Sequence, residues 1–421
     1  MTRVLFLADS FLPHAGGSRE YYFNIYRLLA EAESGNTRVT ILTKKIPGWQ
    51  EFDRRASTYN FRIERWRKPL KSWKIKELPK GVYPFLQALW HALWERPSIV
   101  HAGDIYPQGL IAMVLKAILG IPYVIYCHGE ELVQTDRYRY VPRVRNQIYL
   151  HADALIANGE FSRGQLLRVG VPAERIHKIT PGVDAERFSR PQSIGKIEAF
   201  DGLQNKVILL TVGRLIPRKG HQLVLQAISQ LASEIPNLHY VIAGTGPEEA
   251  HLRRLVDELA LTNRVTFAGY VPEGDLPSFY AACDLMVMPN RQEADDDIEG
   301  FGMVFLEANA AGKPVVGGKS GGAAEAVLDG VTGLLIKPND EADLVRVLRT
   351  LLIDPQLREA MGRAGARRAR DEFAWKDRAA ALANVNRMIL HGRSLPKRAE
   401  ESRSAVERKI EEAMPPVFKA D

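Results

Sequence analysis

Short apolar runs alternate with longer amphipathic segments along almost the whole chain of 421 residues. Apolar runs bounded by polar residues predict strands, whereas apolar positions that recur every three or four residues predict helices. Strands that alternate with helices form parallel sheets covered on both faces, so the pattern predicts an α/β protein. The predicted strands fall into two series: Arg3–Ala8, Arg38–Thr43, Phe61–Trp66, Ser98–His101, Tyr123–Cys127, Ala154–Ala157 and His177–Ile179, and then Val207–Val212, His239–Ala243, Val265–Ala268, Leu285–Met288, Pro314–Val316 and Gly333–Ile336.

A polar segment around Ser189–Ser193 separates the two series and interrupts the pattern. It predicts a linker over residues 186–205 between an N-terminal domain, residues 1–185, and a C-terminal domain, residues 206–372. A last helix is predicted over residues 373–391, followed by a charged tail over residues 392–421. Doubly wound sheets bind ligands at the carboxyl ends of their strands, so we expect a ligand-binding cleft between two Rossmann-like domains.

Composition excludes several classes of protein. The chain is 46% hydrophobic and 25% charged, as globular proteins are. Two cysteines, Cys127 and Cys283, exclude a disulfide framework and a CxxC metal site, and their apolar surroundings predict buried thiols in a reducing cytoplasm. The longest apolar stretch, Gly109–Cys127, is interrupted by a lysine, a glycine and a proline, so it predicts a helix and a strand rather than a membrane span.

The net charge of +7 is unevenly distributed. Residues 1–185 hold 26 basic and 17 acidic side chains, whereas residues 186–421 hold 31 and 33. The segment Arg54–Lys80 alone carries ten basic and two acidic residues, with Trp66 and Trp73 among them. Basic residues and tryptophan favour an anionic membrane surface, which we expect this segment to contact. No nucleic-acid-binding module accompanies it, so nucleic acid is not an expected partner; a solvated loop is the remaining alternative.

The turn after the first predicted strand contains Gly16 and Gly17 and leads into a helix near Ser18. Glycines permit close backbone approach, and the first amides of a helix suit an anion. A turn that needs two glycines for its own conformation has the same sequence, so the turn alone does not decide between the two.

Two cations follow the first strand of the second series. Arg214 comes just after that strand, and Lys219 comes five residues later, where a helix is about to begin. Such a pair could neutralise a diphosphate without a metal ion. A solvated basic turn is the alternative.

The segment Glu299–Glu307 places two carboxylates eight residues apart around a glycine-containing turn. The amides near Gly302, Met303 and Val304 open a predicted helix and suit a phosphate. Eight helical residues would span roughly 12 Å, about the distance from a hexose to the ribose of a nucleoside diphosphate sugar. One carboxylate could therefore bind sugar hydroxyls and the other ribose hydroxyls, unless both merely occupy the ends of a helix.

Other motifs are weaker. Gly244-Thr-Gly246 and Ser320-Gly-Gly322 each lie between a strand and a helix, where a glycine serves a ligand or a turn equally well. Asp295-Asp296-Asp297 matches a metal-binding pattern but lies in a polar loop. We therefore expect no metal site and no cofactor other than the donor substrate.

Taken in order, these motifs resemble those of the retaining glycosyltransferases of family four. The resemblance covers about residues 1–390 and is strongest over 207–345. It implies the GT-B fold, which is two Rossmann-like domains facing across a cleft, with a last helix that returns to the N-terminal domain. The motifs that carry it are Gly213-Arg214…Lys219-Gly220, Gly244-x-Gly246-Pro247, Glu299-x7-Glu307, Gly312-x-Pro314-Val315-Val316 and Gly321-Gly322-x-x-Glu325.

The resemblance also implies roles for single residues. In the C-terminal domain, Arg214 and Lys219 would hold the donor diphosphate and stabilise it as a leaving group. Glu299, with the amides that follow it, would bind hexose hydroxyls, and Glu307 would bind the ribose.

In the N-terminal domain, the resemblance places Gly17 against the donor phosphate, beside Gly16. His128 matches a histidine that such enzymes place near the transferred sugar, although a lone histidine after a strand is more often structural. Glu130 and Glu131 follow it and could contact acceptor hydroxyls.

The donor and acceptor are expectations of the same kind. The run Asn290–Glu307 most resembles that of mannosyltransferases that use GDP-mannose, including those acting on phosphatidylinositol mannosides. With the basic segment, this predicts transfer of a hexose to a lipid-linked or membrane-proximal glycan, by a cytoplasmic protein peripheral to the inner face of the membrane. A transferase that uses a UDP-sugar and a nucleotide-sugar epimerase on the same fold are the alternatives.

Overall fold

The computed structural model describes residues 1–13, 16–32, 37–66, 82–129, 132, 141–190, 198–291 and 298–392. The described chain divides into two compact units. The first comprises Met1–Pro181 with the helix that begins at Trp375, and the second comprises Gly182–Ala374. Each unit is built on its own parallel sheet, as the alternating pattern predicted.

The first unit has a seven-stranded sheet in the order β3-β2-β1-β4-β5-β6-β7. Its strands are β1 Thr2–Leu7, β2 Thr37–Lys44, β3 Phe61–Trp66, β4 Ile99–Ala102, β5 Tyr123–Cys127, β6 Ala154–Ala157 and β7 Ile176–Lys178. Its helices up to β7 are α1 Gly17–Ala32, α2 Trp49–Ala56, α3 Val82–Trp94, α4 Leu110–Leu119, α5 Val141–Leu150 and α6 Glu160–Val169.

The second unit has a six-stranded sheet in the order β10-β9-β8-β11-β12-β13. Its strands are β8 Val207–Val212, β9 Leu238–Ala243, β10 Val265–Gly269, β11 Leu285–Met288, β12 Val315–Gly318 and β13 Gly333–Ile336. Its helices are α7 Ala185–Ser189, α8 His221–Leu231, α9 Glu249–Glu258, α10 Leu276–Ala282, α11 Met303–Ala310, α12 Ala323–Ala326, α13 Glu341–Ile353 and α14 Pro355–Glu372.

Apolar burial on both faces explains why short strands could be located in the sequence. Every residue of β5 and of β9 is buried, as expected for parallel strands covered by helices on both sides. Each of the thirteen predicted strands is present, with ends shifted by two residues or fewer. The fold-class prediction of parallel α/β domains is confirmed. Cys127 and Cys283 are both buried and form no disulfide, as their apolar neighbours predicted.

The last helix, α15 Trp375–His391, packs on α1 and completes one apolar face of the first sheet. Trp375 meets the ring of Tyr21 edge to face, with ring centroids 5.7 Å apart. Asn386 bonds the buried His101 at 2.9 Å, on the strand at the centre of the same unit. The first unit is therefore assembled from two separate stretches of chain.

Candidate functional site

In each sheet the chain builds strands outward in both directions from one central pair of strands. The predicted site residues of the second unit lie in the connections that follow this central pair. Strand β8 lies beside β11, while the chain goes from β8 outward to β9 and from β11 outward to β12. The turns after β8 and β11 therefore leave a crevice at the carboxyl ends of the strands, the usual ligand site of such sheets. Lys219 lies in the turn after β8, and Glu299 lies in the connection after β11.

Glu299 binds two cations in this crevice. Its Oε2 accepts hydrogen bonds from Lys219 Nζ at 2.6 Å and from Arg218 Nη1 at 2.5 Å. All three side chains are only 11–12% exposed. Among the described residues, one carboxylate thus lies between two cations, a grouping that suits an anionic ligand.

The two cations keep Glu299 ionised. Burial by itself would raise the pKa of this carboxyl, but the charges of Lys219 and Arg218 and their hydrogen bonds outweigh it. The pKa of Glu299 therefore lies below its ordinary value. At neutral pH the side chain is an acceptor only, able to receive hydrogen bonds from hydroxyl groups.

Motif glycines hold the two turns in place through tight backbone packing. A Cβ on Gly246 would lie 2.4 Å from the carbonyl oxygen of Leu215, and one on Gly322 would lie 2.1 Å from that of Gly300. The Gly322 amide also donates to the Glu299 carbonyl at 2.9 Å. Both glycine motifs, which the sequence left open, thus have a packing role that fixes the loops carrying Lys219 and Glu299.

Glu299 does not lie on a helix, contrary to the expected eight-residue helical spacing. Helix α11 begins at Met303, after Gly302, whose φ of 86° suits glycine. Only Glu307 lies on the helix, so the roughly 12 Å estimate from helical rise does not apply to the pair. Met303 and Val304 lie in the first turn of α11, where backbone amides have no acceptor within the helix. Such amides at a helix N-terminus are suited to bind an anion.

Glu307 has a partner that the sequence did not indicate. It accepts a hydrogen bond from the hydroxyl of Tyr280 at 2.7 Å. Burial raises the pKa of Glu307 to about 7, although this hydrogen bond opposes the shift. Near neutral pH the carboxyl therefore exists in both protonation states, and it can donate or accept a hydrogen bond.

Arg214 does not share the ion pair that Lys219 makes with Glu299. Its side chain is exposed and makes no ion pair with any residue in the described ranges, while its carbonyl lies 3.4 Å from His221 Nε2. Arg218 contacts Glu299 instead, and the sequence analysis did not predict this contact. The only signal was its position directly before Lys219, because a basic turn alone does not reveal which cation points inward.

In the first unit the winding reverses between β1 and β4, and Gly17 follows β1 as the first residue of α1. A Cβ at Gly17 would meet no described atom within 4 Å, so its packing does not demand a glycine. Gly16 carbonyl accepts from the amides of Arg19 and Glu20, which starts the helix. An open position at a helix start leaves room for a ligand to approach the backbone.

His128 follows β5 and is held by Tyr22 of α1. Tyr22 donates its single hydroxyl proton to the carbonyl of Gly103 at 2.5 Å, since a carbonyl can only accept. The same hydroxyl lies 2.6 Å from His128 Nε2, which must therefore be the donor in that bond. This arrangement puts a proton on the Nε2 atom that faces Tyr22.

Burial lowers the pKa of His128 to about 4, so the ring is neutral at physiological pH. The predicted position of His128 at the end of a strand is observed, but its bond to Tyr22 was missed. That bond joins residues 106 positions apart, and nothing in the local sequence indicates it.

Several sequence predictions lie outside the described residues. Glu130 and Glu131 are among them, and so is Asp295-Asp296-Asp297. Within the described ranges, no group of three histidine, cysteine or carboxylate side chains is placed to hold a metal ion. No helix there combines the length and apolar character needed to cross a membrane.

The basic segment Arg54–Lys80 is described only as far as Trp66, and this part is less cationic than its composition suggested. Arg65 is 1% exposed, and its guanidinium binds Asp53 at 2.8 Å. Arg55 and Arg62 also lie within ion-pair distance of carboxylates. Arg65 therefore stabilises the fold and cannot contact a membrane, which corrects its assignment to the predicted membrane surface.

Comparison with known proteins agrees with this geometry. The family described as "Glycosyltransferase Family 4" matches residues 15–187, and "Glycosyl transferases group 1" matches residues 196–368. A solved structure of HepE (Alr3699) from Anabaena, in complex with UDP, is similar in fold, with a TM-score of 0.75 and 23% identity over 91% of this chain and 99% of that one.

Two relatives are similar over most of the chain. A GDP-mannose-dependent α-(1-6)-phosphatidylinositol monomannoside mannosyltransferase of Mycolicibacterium smegmatis is 29% identical over 91% of this chain and 97% of its own length. A D-inositol 3-phosphate glycosyltransferase of Salinispora arenicola is 30% identical over 88% and 87%, respectively. With both family matches and two Rossmann-like sheets, the chain belongs to the family 4 glycosyltransferases, and it is a GT-B enzyme that transfers sugar from a nucleotide sugar.

Proposed function

We propose that the enzyme transfers mannose from GDP-mannose to a lipid-linked or membrane-proximal glycan, with retention at the anomeric carbon. The observation that carries this proposal is the buried Glu299, which holds Lys219 and Arg218 at the switch point of the second sheet. Similarity to a GDP-mannose-dependent mannosyltransferase over 91% of the chain supports the choice of donor and acceptor.

In this proposal the cations replace a metal ion. Lys219, with Arg218 or Arg214, binds the diphosphate and stabilises the charge that develops when the bond from the sugar to the β-phosphate breaks. The amides at the start of α11 bind the same anion, Glu299 accepts hydrogen bonds from sugar hydroxyls, and Glu307 binds the ribose. The acceptor oxygen forms its bond to the anomeric carbon on the same face, and the departing phosphate takes the acceptor proton.

His128 is proposed to lie near the transferred sugar, with Nε2 engaged by Tyr22. The backbone at Gly17 is proposed to approach the donor phosphate. Glu130 and Glu131 remain proposed acceptor contacts on sequence grounds alone.

The membrane-proximal acceptor is proposed from the relative's phosphatidylinositol substrate and from the basic composition of residues 1–185. We propose a location in the cytoplasm, on the inner face of the membrane. The basic segment Arg54–Lys80 is kept as an electrostatic contact, without Arg65. Nucleic acid is not a proposed partner.

Thermal stabilisation by nucleotides tests the donor assignment. A ligand that binds only the folded protein raises its stability by about 2.7 kcal/mol at one hundred times its dissociation constant. GDP and GDP-mannose are expected to raise the melting temperature more than UDP, ADP and their common sugars. A larger shift with UDP-sugars would instead favour the alternative that the UDP complex of HepE suggests.

Incubation with the preferred donor and no acceptor separates transfer from isomerisation. A transferase is expected to leave the sugar nucleotide intact or to hydrolyse it slowly. Conversion into a different sugar nucleotide would identify an epimerase, and no binding to any nucleotide would contradict the proposed function altogether.

Replacing Tyr22 with phenylalanine is expected to lower kcat for transfer about tenfold, because His128 loses the partner that holds its proton on Nε2. The matched control is Tyr21→Phe. It removes an equally buried hydroxyl, which donates to the Ile179 carbonyl at 3.0 Å and makes no hydrogen bond to His128. Both variants should lose about 1 kcal/mol of stability. Equal losses of kcat in the two variants would show that Tyr22 acts through stability alone.

A further inference from the structure

Helix α3 exposes four of its large apolar side chains, whereas Tyr83, Phe85 and Leu89 pack against the core. Ala88 and Ala92 face the sheet, 0% and 4% exposed. The helix contains no Asp, Glu, Lys or Arg. An ordinary surface helix has the opposite arrangement, with polar residues outward. Its outward large residues and their exposed fractions are Leu86 at 54%, Trp90 at 49%, Leu93 at 46% and Trp94 at 70%.

These four residues form one stripe, which we call the α3 apolar face. Their spacing of four, three and one places them on the same side of a helix. The indoles of Trp90 and Trp94 stack, with ring centroids 5.9 Å apart and planes inclined by 12°. The two largest side chains are thus already ordered as a ridge, which lowers the entropy lost when a partner covers them.

The neighbouring helix extends the apolar surface at one end. Helices α3 and α4 precede the adjacent parallel strands β4 and β5, so their carboxyl ends lie at the same edge of the sheet. Ile118, near the carboxyl end of α4, is 55% exposed. Trp94 and Ile118 therefore occur at the same edge of the first unit.

Charge distinguishes a lipid partner from a second copy of the chain. The fourteen residues Arg67–Lys80, which end shortly before α3, contain six basic residues and one acidic residue. In a symmetric dimer through the α3 apolar face, the two copies of this basic sequence would repel each other. An anionic lipid surface attracts the same charges, and tryptophan favours the headgroup region.

We propose that the α3 apolar face inserts into the headgroup boundary of an anionic bilayer and is the principal membrane contact of this enzyme. The basic residues before it supply attraction at a distance, whereas the indoles and leucines supply burial of apolar surface. The inference rests on the proposed function only in its choice of a lipid partner. It differs from attachment by charge alone, because part of the binding persists at high salt.

Vesicle co-sedimentation of the full-length protein tests this. Vesicles of phosphatidylcholine with phosphatidylglycerol are compared with phosphatidylcholine alone, at low and at high salt. The double variant Trp90→Ser with Trp94→Ser is expected to bind anionic vesicles at least about tenfold more weakly than the unmodified protein. The control replaces two exposed apolar residues of the second unit, Tyr270→Ser with Ile353→Ser, and should bind as the unmodified protein does.

Quenching by lipids brominated along the acyl chain gives a second measurement. Tryptophan fluorescence of the unmodified protein should be quenched on binding, and the double variant should lose most of that quenching. Unchanged vesicle binding by the double variant would overturn the proposal. So would a dimer that dissociates in the double variant without any change in vesicle binding, because the face would then be an interface between copies.

Nucleotide binding without lipid keeps the two proposals distinguishable. The double variant should keep the full thermal shift with the preferred donor, since α3 lies outside the second unit that holds Lys219 and Glu299. Lipid binding through α3 with no nucleotide shift would refute the proposed function and leave the membrane contact standing. A nucleotide shift with no lipid binding would refute the membrane contact and leave the proposed function standing.

Discussion

Replacing Glu299 with glutamine is expected to reduce transfer about a thousandfold and to lower the free energy of unfolding by about 3 kcal/mol at neutral pH. The amide cannot balance Lys219 and Arg218, which both donate to one carboxylate oxygen. Two buried cations would then repel each other without the carboxylate that lies between them. The free energy of unfolding falls because one partner of a buried ion pair is removed. Transfer falls because the acceptor for sugar hydroxyls is removed.

The stability difference should depend on pH in a defined direction. The folded-state pKa of Glu299 is depressed, so the carboxylate stabilises the fold above its unfolded-state pKa. That stabilisation is lost as pH falls through the depressed folded-state pKa. Denaturant unfolding at a series of pH values should therefore give a large difference between the two proteins at neutral pH and convergence in acid.

A matched control separates lost stability from lost chemistry. Asp53→Asn breaks the ion pair with the buried Arg65 in the first unit, far along the chain from Glu299. It should cost a similar amount of stability while transfer is retained at temperatures below unfolding. Full transfer by Glu299→Gln would show that the donor site lies elsewhere.

Replacing Lys219 with methionine is expected to lower kcat/KM about a hundredfold to a thousandfold. Methionine keeps the length of the buried stem but removes the charge that would meet the diphosphate. Glu299 keeps Arg218 as a partner, so the fold should be affected less than by the loss of the carboxylate. The thermal shift with the preferred nucleotide should decrease together with the transfer rate. The reason is that the same cation binds the diphosphate and stabilises it as the leaving group.

Lys206→Met is the control for this experiment. It removes an exposed lysine at the start of the same unit and should leave both transfer and the thermal shift unchanged. An undiminished nucleotide shift in Lys219→Met would exclude this side chain from the diphosphate site, whatever happened to the rate.

The secondary structure could be predicted because the pattern of apolar residues in the sequence matches the pattern of burial in the structure. Strand β5 is apolar at every position and buried at every position, and most helices show a single apolar stripe. Helix α3 differs, since four of its large apolar residues are exposed. Periodicity locates a face of a helix, but it does not say whether that face meets the core or a partner.

The site was predictable only in part, for a different physical reason. Lys219 and Glu299 stand in recognisable motifs, and they meet at 2.6 Å. The inward direction of Arg218 and the bond from Tyr22 to His128 depend on side-chain packing between distant segments. Arg65 illustrates the same limit, because its charge counted toward a basic surface although the side chain is buried against Asp53.

The separate origin of α15 has a consequence for synthesis on the ribosome. The first unit cannot finish folding when its own sheet is complete, because the helix that covers α1 is translated nearly two hundred residues after β7. Until then, the apolar side chains that Trp375, Leu382 and Val385 will cover remain exposed on the nascent chain. A fragment that stops before Trp375 should therefore aggregate, and the N-terminal half of this enzyme should depend on its last helix to become a stable protein.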